Sequence, residues 1–251
     1  MKAMYQEERL RELQQLLKAK EALSAKEMMD YFDVSRDTIR RDFSILASEG
    51  KALRTHGGII AIAEENEVLS LSTRLKESEL EKREIAQKAA ALIQTGGTYF
   101  LDVSSITLML AQLIEKETTI YTHSLDVANS LSSKSKVTYY LLGGKFFPKN
   151  RFFYSLAETE ALADVHFDAV FLGAAGLKDG YVRFENEEDA LVKRQIMHIA
   201  EKKVLLAERA KFRKISTYAI GKITDFDYFV TDKMPDENQL AAFKNEVEII
   251  I

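Results

Sequence analysis

Two kinds of hydrophobic periodicity divide the chain. Up to about residue 62, apolar residues recur at the spacing of short amphipathic helices, whereas beyond residue 98 they fall in short runs separated by helical segments. Residues 63–77 lack clear periodicity, which is typical of a linker. The pattern predicts a first domain at residues 1–62 and a second at residues 78–251, joined by that linker.

Three helices and a hairpin are predicted in the first domain. A helix over residues 5–18 carries leucines on one face, and a second begins at Ser24, where Glu27 completes a capping box. The apolar face of the second helix is expected to contain Met28, Met29, Tyr31 and Phe32. Ser35 caps a third helix that runs to about residue 49, and residues 51–62 alternate around two glycines. This order predicts a winged helix-turn-helix.

The exposed start of the third helix and the hairpin tip are rich in groups that bind DNA. An arginine can donate to guanine O6 and N7 or to a phosphate when a recognition helix enters the major groove. The alternative is an ordinary solvated helix face, but two capped helices, a basic first turn and a glycine-rich wing coincide here. The candidate DNA contacts are Ser35, Arg36, Asp37, Thr38, Arg40, Arg41, Arg54, His56, Gly57 and Gly58.

Strands and helices alternate in the second domain. A helix follows Ser78, and later helices are predicted at residues 105–115, 124–133, 155–164 and 186–200. Strands are predicted at residues 98–102, 119–122, 137–142, 168–172, 203–207 and 228–231. Alternation of this kind predicts an α/β domain with a mainly parallel sheet covered on both faces.

Small and hydroxylated residues follow four successive predicted strands. Ligands bind at the carboxyl ends of parallel strands, where loops lead into helix N-termini that attract anions. The alternative for each hydroxyl is an ordinary helix cap, and for Glu187 and Lys193 a charged helix face. The candidate effector contacts are Asp102, Ser104, Ser105, Thr107, Thr122, His123, Ser124, Gly143, Gly144, Gly173, Gly176, Glu187, Lys193 and Lys211.

Composition restricts the class of protein. The chain has no cysteine and four histidines, so we expect neither a disulfide nor a metal site. No apolar run approaches the length of a membrane span, and we expect a cytoplasmic protein without a membrane partner. The formal net charge is −4. Residues 1–62 contain 11 Lys and Arg against 10 Asp and Glu, so the acidic excess lies in the remainder, at 24 against 29.

Two segments of the first domain resemble a known family. VSRDTIRRD at residues 34–42 and GKALRTHGG at residues 50–58 are similar to the N-terminal signature of the DeoR family of bacterial transcription regulators. LGG at residues 142–144, FLGAAG at 171–176 and NEE at 186–188 resemble the sensor domain of the same family. The resemblance implies a repressor whose sensor domain, related in fold to ribose-5-phosphate isomerase, binds a phosphorylated sugar.

Several predicted pocket positions depart from the family pattern. The usual Asp-x-Gly-Thr-Thr-Thr loop is DVSSIT at residues 102–107, the usual Thr-Asn-Ser is THS at 122–124, and the usual Asp-Ser-Ser-Lys is ERAK at 208–211. These changes alter the lining of the predicted pocket and reduce the room for the backbone to surround a phosphate.

An enzyme is the alternative function. Glu187, Lys193 and Lys211 could supply an acid, a base and a cation for isomerising a sugar phosphate. The sugar isomerases, however, have a carboxylate-rich segment after the fourth strand, and this chain has no carboxylate there before Asp179. We therefore expect a non-enzymatic repressor of a sugar operon, without a cofactor, that binds double-stranded operator DNA as a homo-oligomer, either a dimer or a tetramer.

Overall fold

A computed structural model describes residues 6–20, 22–49, 51–55, 57–60, 78–243 and 246–251. The chain divides into two compact units, Met1–Glu67 and Val68–Ile251. The predicted linker at residues 63–77 lies outside the described residues, so its bounds stay a prediction. Within the described ranges, no helix has the length and apolar character needed to cross a membrane.

The first unit is a winged helix-turn-helix, as predicted. Its helices and strands are α1 (Gln6–Lys20), β1 (Ala22–Ser24), α2 (Ala25–Phe32), α3 (Arg36–Ser48), β2 (Leu53–Arg54) and β3 (Gly58–Ile60). The three strands form an antiparallel sheet in the order β1-β3-β2. The sequence pattern did not predict β1, because three residues are too few to show a period of two.

Leucines of α1 pack against both other helices. Leu13, Leu17, Met28, Phe43 and other apolar residues form one buried cluster. A buried ion pair also connects α1 to α3, since Nε of Arg9 lies 2.6 Å from Oδ2 of Asp42. The expected place of Tyr31 on the buried face was wrong: its side chain is exposed, and its hydroxyl donates to Glu12. The polar end of a tyrosine favours a position at the water boundary.

The second unit is built on a parallel sheet. The remaining helices are α4 (Glu79–Ala91), α5 (Ser105–Leu113), α6 (Leu125–Leu131), α7 (Leu156–Ala161), α8 (Glu187–Ile199) and α9 (Glu237–Leu240). The remaining strands are β4 (Thr98–Leu101), β5 (Thr118–Thr122), β6 (Val137–Leu141), β7 (Lys145–Phe147), β8 (Phe152–Tyr154), β9 (Phe167–Leu172), β10 (Tyr181–Phe184), β11 (Ala200–Leu206), β12 (Tyr218–Lys222), β13 (Tyr228–Val230) and β14 (Glu248–Ile250).

Seven strands form the main sheet in the order β14-β13-β11-β9-β4-β5-β6, and every neighbouring pair is parallel. Side chains alternate between its faces. Tyr99 and Leu101 join the cluster that contains residues of α4, α5 and α6, whereas Phe100 joins the cluster that contains residues of α8. The sheet is thus covered on both faces, as predicted. This coverage buries its strands.

All six predicted strands belong to this sheet. The sequence pattern did not predict β14 or the two small antiparallel pairs, β7 with β8 and β10 with β12. Each of these strands has only three to five residues. Short strands owe their pairing to tertiary contacts, which a local pattern does not contain.

Candidate functional site

The first two turns of α3 expose one face to solvent. Ser35 caps the helix, because its hydroxyl accepts from the backbone N–H of Thr38 at 3.2 Å. Ile39, Phe43 and Leu46 point into the core. The opposite face therefore leaves Arg36, Asp37, Arg40 and Arg41 exposed, with Thr38 half-buried. The turn between α2 and α3 is short, and Asp33 makes it with a left-handed φ of 51°.

The wing lies beside this helix. The N–H of Thr55 donates to the carbonyl of Gly58 at 3.1 Å and closes the loop between β2 and β3. Arg54 is exposed, with its guanidinium carbon 5.9 Å from the centre of the Phe43 ring. A Cβ on Gly58 would lie 2.0 Å from the carbonyl oxygen of Leu23, so glycine is required there for β1 to pair. Gly57 is exposed, and His56 lies outside the described residues.

A buried polar network lies where β4 and β5 end and α8 begins. Lys193 on α8 is fully buried, and its Nζ lies 2.7 Å from Oδ2 of Asp189 and 3.2 Å from Oδ2 of Asp102. The ammonium is also 3.5 Å from the centre of the Phe184 ring, a cation–π contact. One cation is thus shared by two carboxylates and an aromatic face. We call Asp102, His123, Asp189 and Lys193 the polar cluster.

Asp102 extends the network to the loop after β9. Its Oδ2 accepts from the backbone N–H of Gly173 at 2.8 Å. Its Oδ1 is buried and has no hydrogen-bond partner within the described residues. Buried polar atoms are nearly always hydrogen-bonded, so Oδ1 is an exception within the described residues.

His123 lies at the other end of the polar network. Its Nε2 lies 2.8 Å from Oδ1 of Asp189, and its ring stacks on Phe100 at 5.6 Å. The ring is wholly buried. Its Nδ1 likewise has no hydrogen-bond partner in the part of the chain that the structure describes. Within the described residues, two buried polar atoms of this network, on Asp102 and His123, therefore have no protein partner.

The charges in the network set the state of Asp189. Burial raises the pKa of Asp189, but the Lys193 ammonium and the hydrogen bond from His123 outweigh burial, so the net shift is downward. Asp189 is thus an ionised acceptor at neutral pH. It follows that Nε2 of His123 carries the proton in their shared hydrogen bond.

Hydroxyl groups at the strand ends are mostly used within the protein. Ser104 and Thr107 cap α5 reciprocally, and the Thr107 hydroxyl also approaches the carbonyl of Asp102 at 2.9 Å. Ser124 caps α6, and the Thr122 hydroxyl accepts from the backbone N–H of Ser124. The helix-cap interpretation of Ser104, Thr107 and Ser124 is therefore correct for their hydroxyls. Ser105, in the first turn of α5, is buried.

The predicted glycines allow close packing within the protein. Gly144 has φ of 113°, and a Cβ there would lie 2.2 Å from the Tyr154 carbonyl oxygen. A Cβ on Gly173 would lie 2.6 Å from Cβ of Ser104, and one on Gly176 would lie 2.5 Å from the Lys214 carbonyl oxygen. For Gly143, the space within 4 Å of such an atom is open.

Two predicted contacts are not members of the polar cluster, and one member was missed. Glu187 is exposed in the first turn of α8, and Lys211 lies half-buried in the turn Arg209–Arg213. Asp189 was not predicted. Its spacing of four residues from Lys193 places both on one helix face, which is a signal that the sequence contained.

Two further features share none of the predicted effector contacts. A groove of about 650 Å³ is lined by residues that include Tyr181, Phe212 and Lys222. His166, Asp168 and Glu201 offer potential metal-ligand atoms within 4.8 Å of one another, but all three are exposed. Exposed groups of this kind are common without an ion, so we assign them no ligand.

Comparisons with known proteins agree with the two-unit architecture. The family model described as DeoR-like helix-turn-helix domain matches residues 9–65, and the DeoR C terminal sensor domain matches residues 77–233. The fold and these matches define a DNA-binding transcriptional regulator with a sensor domain. The chain belongs to the DeoR family.

Named relatives are similar over nearly their whole length. The HTH-type transcriptional repressor GlcR of Bacillus subtilis is 32% identical over 99% of this chain and 97% of its own. The Lactose phosphotransferase system repressor of Streptococcus mutans is 30% identical over 98% of this chain and 100% of its own. A D-ribose-5-phosphate isomerase structure is 14% identical over 53% of each chain, with a TM-score of 0.39.

Proposed function

We propose that the protein represses a sugar-metabolism operon by binding operator DNA, and that a sugar metabolite releases it. The observation that carries the proposal is an exposed basic first turn on a capped helix, beside a wing, in a chain whose relatives are named repressors. The name of the Streptococcus mutans relative also supports the sugar class.

The DNA contacts come from α3 and the wing. Arg36, Arg40 and Arg41 are exposed within two turns of the N-terminus of α3, where a recognition helix meets base edges. Arg54 on the exposed wing would bind a phosphate, a contact that positions the protein without selecting a sequence. A homo-oligomer, either a dimer or a tetramer, presents two such helices to half-sites about one helical turn apart, or a multiple of it.

The effector contacts come from the polar cluster. Asp102 Oδ1 is a carboxylate oxygen without a partner among the described residues, so the group that satisfies it must donate a hydrogen bond. Sugar hydroxyls donate, whereas a phosphate mainly offers acceptor oxygens. The sugar therefore meets the cluster with its hydroxyl groups, and the phosphate of a phosphorylated sugar points away from Asp102 and Asp189.

A binding assay tests the proposed regulation. DNA upstream of the protein's own gene cluster should be retarded at concentrations that leave a scrambled duplex free. A sugar phosphate that binds the sensor should weaken this complex by about 5- to 150-fold, the usual range of allosteric coupling. The proposal would be contradicted if both duplexes were bound with equal affinity and no sugar phosphate changed that affinity.

Substitution at His123 tests the site. His123→Gln should weaken effector binding, because it removes the buried ring whose Nδ1 has no partner among the described residues, while His166→Gln should not, since His166 is exposed. Calorimetry with the effector and with inorganic phosphate separates hydroxyl from phosphate recognition. We expect phosphate alone to bind weakly and equally to all three proteins.

We propose no catalytic role for the polar cluster. Asp102 and Asp189 are both ion-paired with Lys193. The Lys193 ammonium helps to lower the pKa of Asp189, which makes that carboxylate a weaker base. Incubation with ribose 5-phosphate and with hexosamine phosphates should give no turnover. Isomerisation that Asp189→Asn abolishes would contradict this assignment.

A further inference from the structure

In the part of the chain that the structure describes, one edge of the main sheet lacks the usual protection. β6 is the last strand in the sheet order, and among the described residues it pairs with β5 alone. Its five residues include no charge and no proline. Tyr139, Tyr140 and Leu141 are 38%, 51% and 37% exposed. Proteins usually guard a free edge with charged residues, prolines or bulges, because an unguarded edge pairs with another strand.

Backbone groups on alternate β6 residues point away from the sheet. The N–H of Leu142 donates to the carbonyl of Thr122 at 2.8 Å. Residues two apart in a parallel ladder face the same neighbour, so Tyr140 and Thr138 face β5 as Leu142 does. Tyr139 and Leu141 therefore direct their N–H and C=O groups outward, away from β5.

We propose that β6 pairs antiparallel with β6 of a second copy of this chain, about a two-fold axis at Tyr139. In this register each Tyr139 N–H donates to the Tyr139 carbonyl of the other copy, and each Leu141 N–H donates to the opposite Val137 carbonyl. The Val137 N–H already donates to the Lys134 carbonyl at 3.2 Å, so it needs no partner on the second copy. The two seven-stranded sheets become one continuous sheet.

Side chains on β6 complement themselves in this register. Tyr139 faces its own counterpart, and aromatic cross-strand pairs stabilise antiparallel strands. Tyr140 stacks on Tyr121 at 4.5 Å within its own sheet, so it is held in place for contact with the opposite Thr138. The nearest lysine, Lys136, falls opposite Leu142 rather than another lysine. Like charges therefore do not meet.

A second copy fits this edge better than β14 does. Pairing of β6 with the opposite edge strand, β14, of a second copy would join unlike surfaces, a contact that leaves a free β6 and a free β14 after two copies. β14 also has only three residues and begins with Glu248. Pairing of β6 with itself closes after two copies.

Cysteine cross-linking tests the register, and the natural chain has no cysteine to interfere. Tyr139→Cys in the full chain should give a covalent dimer on a non-reducing gel, because directly opposed residues have Cα atoms about 5.5 Å apart, within disulfide reach. Leu141→Cys is the matched control. Its two copies lie four positions apart along the strands, about 13 Å, and should stay uncross-linked. Equal cross-linking at both positions, or at neither, overturns the proposal.

Light scattering after gel filtration tests the interface without a cross-link. Tyr139→Lys brings two ammonium groups together at the axis and should convert the dimer to monomer, or a tetramer to a smaller species. Leu156→Lys, on the exposed start of α7, should leave the mass unchanged. A mass that Tyr139→Lys does not change overturns the proposal. Neither assay contains DNA or sugar, so their failure is distinct from failure of the proposed repression.

Discussion

Nζ of Lys193 lies 2.7 Å from Oδ2 of Asp189, one turn earlier on α8, and both residues are buried. The pair has little access to water, so each charge depends on the other for stabilisation. Asp102 and His123 extend the pair across two strand ends. The polar cluster is thus part of the structure of the sensor unit as well as its candidate binding site.

Removal of the lysine charge should destabilise the sensor unit. Lys193→Met leaves two buried carboxylates without their cation, and breaking a buried pair costs about 3–5 kcal/mol. Lys178→Met, at an exposed lysine, should cost less than about 0.5 kcal/mol. Urea unfolding followed by circular dichroism measures both. A loss below about 1 kcal/mol for Lys193→Met would show that the cluster contributes little to stability.

Acid should weaken the sensor unit through Asp189. Its pKa is lowered in the folded state, so the unfolded chain binds the proton more readily. The stabilisation is fully present above the unfolded pKa of about 3.9 and is lost as the pH falls through the lower folded pKa. Urea unfolding between pH 7 and pH 3 should show a smaller loss for Asp189→Asn than for the natural protein. Parallel pH profiles would contradict the assigned shift.

Gly144 and Gly143 offer a matched comparison. Gly144→Ala places a side chain at φ of 113° and against the Tyr154 carbonyl oxygen, and strain of this kind costs about 1–3 kcal/mol. Gly143→Ala meets open space and should be close to neutral. Thermal unfolding of the two variants measures the difference. Equal melting temperatures would mean that the loop before β7 relaxes freely.

The DNA-binding unit depends on the pair between Arg9 and Asp42. Asp42→Ala removes the carboxylate from a buried contact of 2.6 Å and should destabilise the first unit by about 3–5 kcal/mol. Asp37→Ala, at an exposed position, is the control for lost negative charge. Limited proteolysis should cleave the first unit faster in Asp42→Ala alone. Equal rates would show that packing of the leucines suffices.

Local sequence patterns predicted most of the helices and strands. Ser24 and Ser35 marked the starts of α2 and α3, because a capping hydroxyl acts within three residues of sequence. The six predicted strands were found because buried parallel strands are continuous apolar runs. β14 and the short pairs were missed, since three to five residues carry little periodicity.

The candidate site was less predictable. The positions of Asp102, His123 and Lys193 at strand and helix ends followed from the α/β pattern. Their mutual contacts could not be predicted, because β4, β5 and α8 are distant in the sequence. They meet only through the order of the strands in the sheet. Hydroxyls such as Ser104 and Thr107 looked the same in sequence whether they cap a helix or bind a ligand.

Operator binding by two arginine variants tests the central claim that α3 recognises DNA. Arg40→Ala or Arg41→Ala should cost about 1–3 kcal/mol in binding to the protein's own upstream DNA at moderate salt. Arg11→Ala, at an exposed position on α1, should bind as the natural protein does. Fluorescence anisotropy with labelled duplex measures all three affinities. Unchanged affinity in both α3 variants, or an equal loss in Arg11→Ala, would contradict the account.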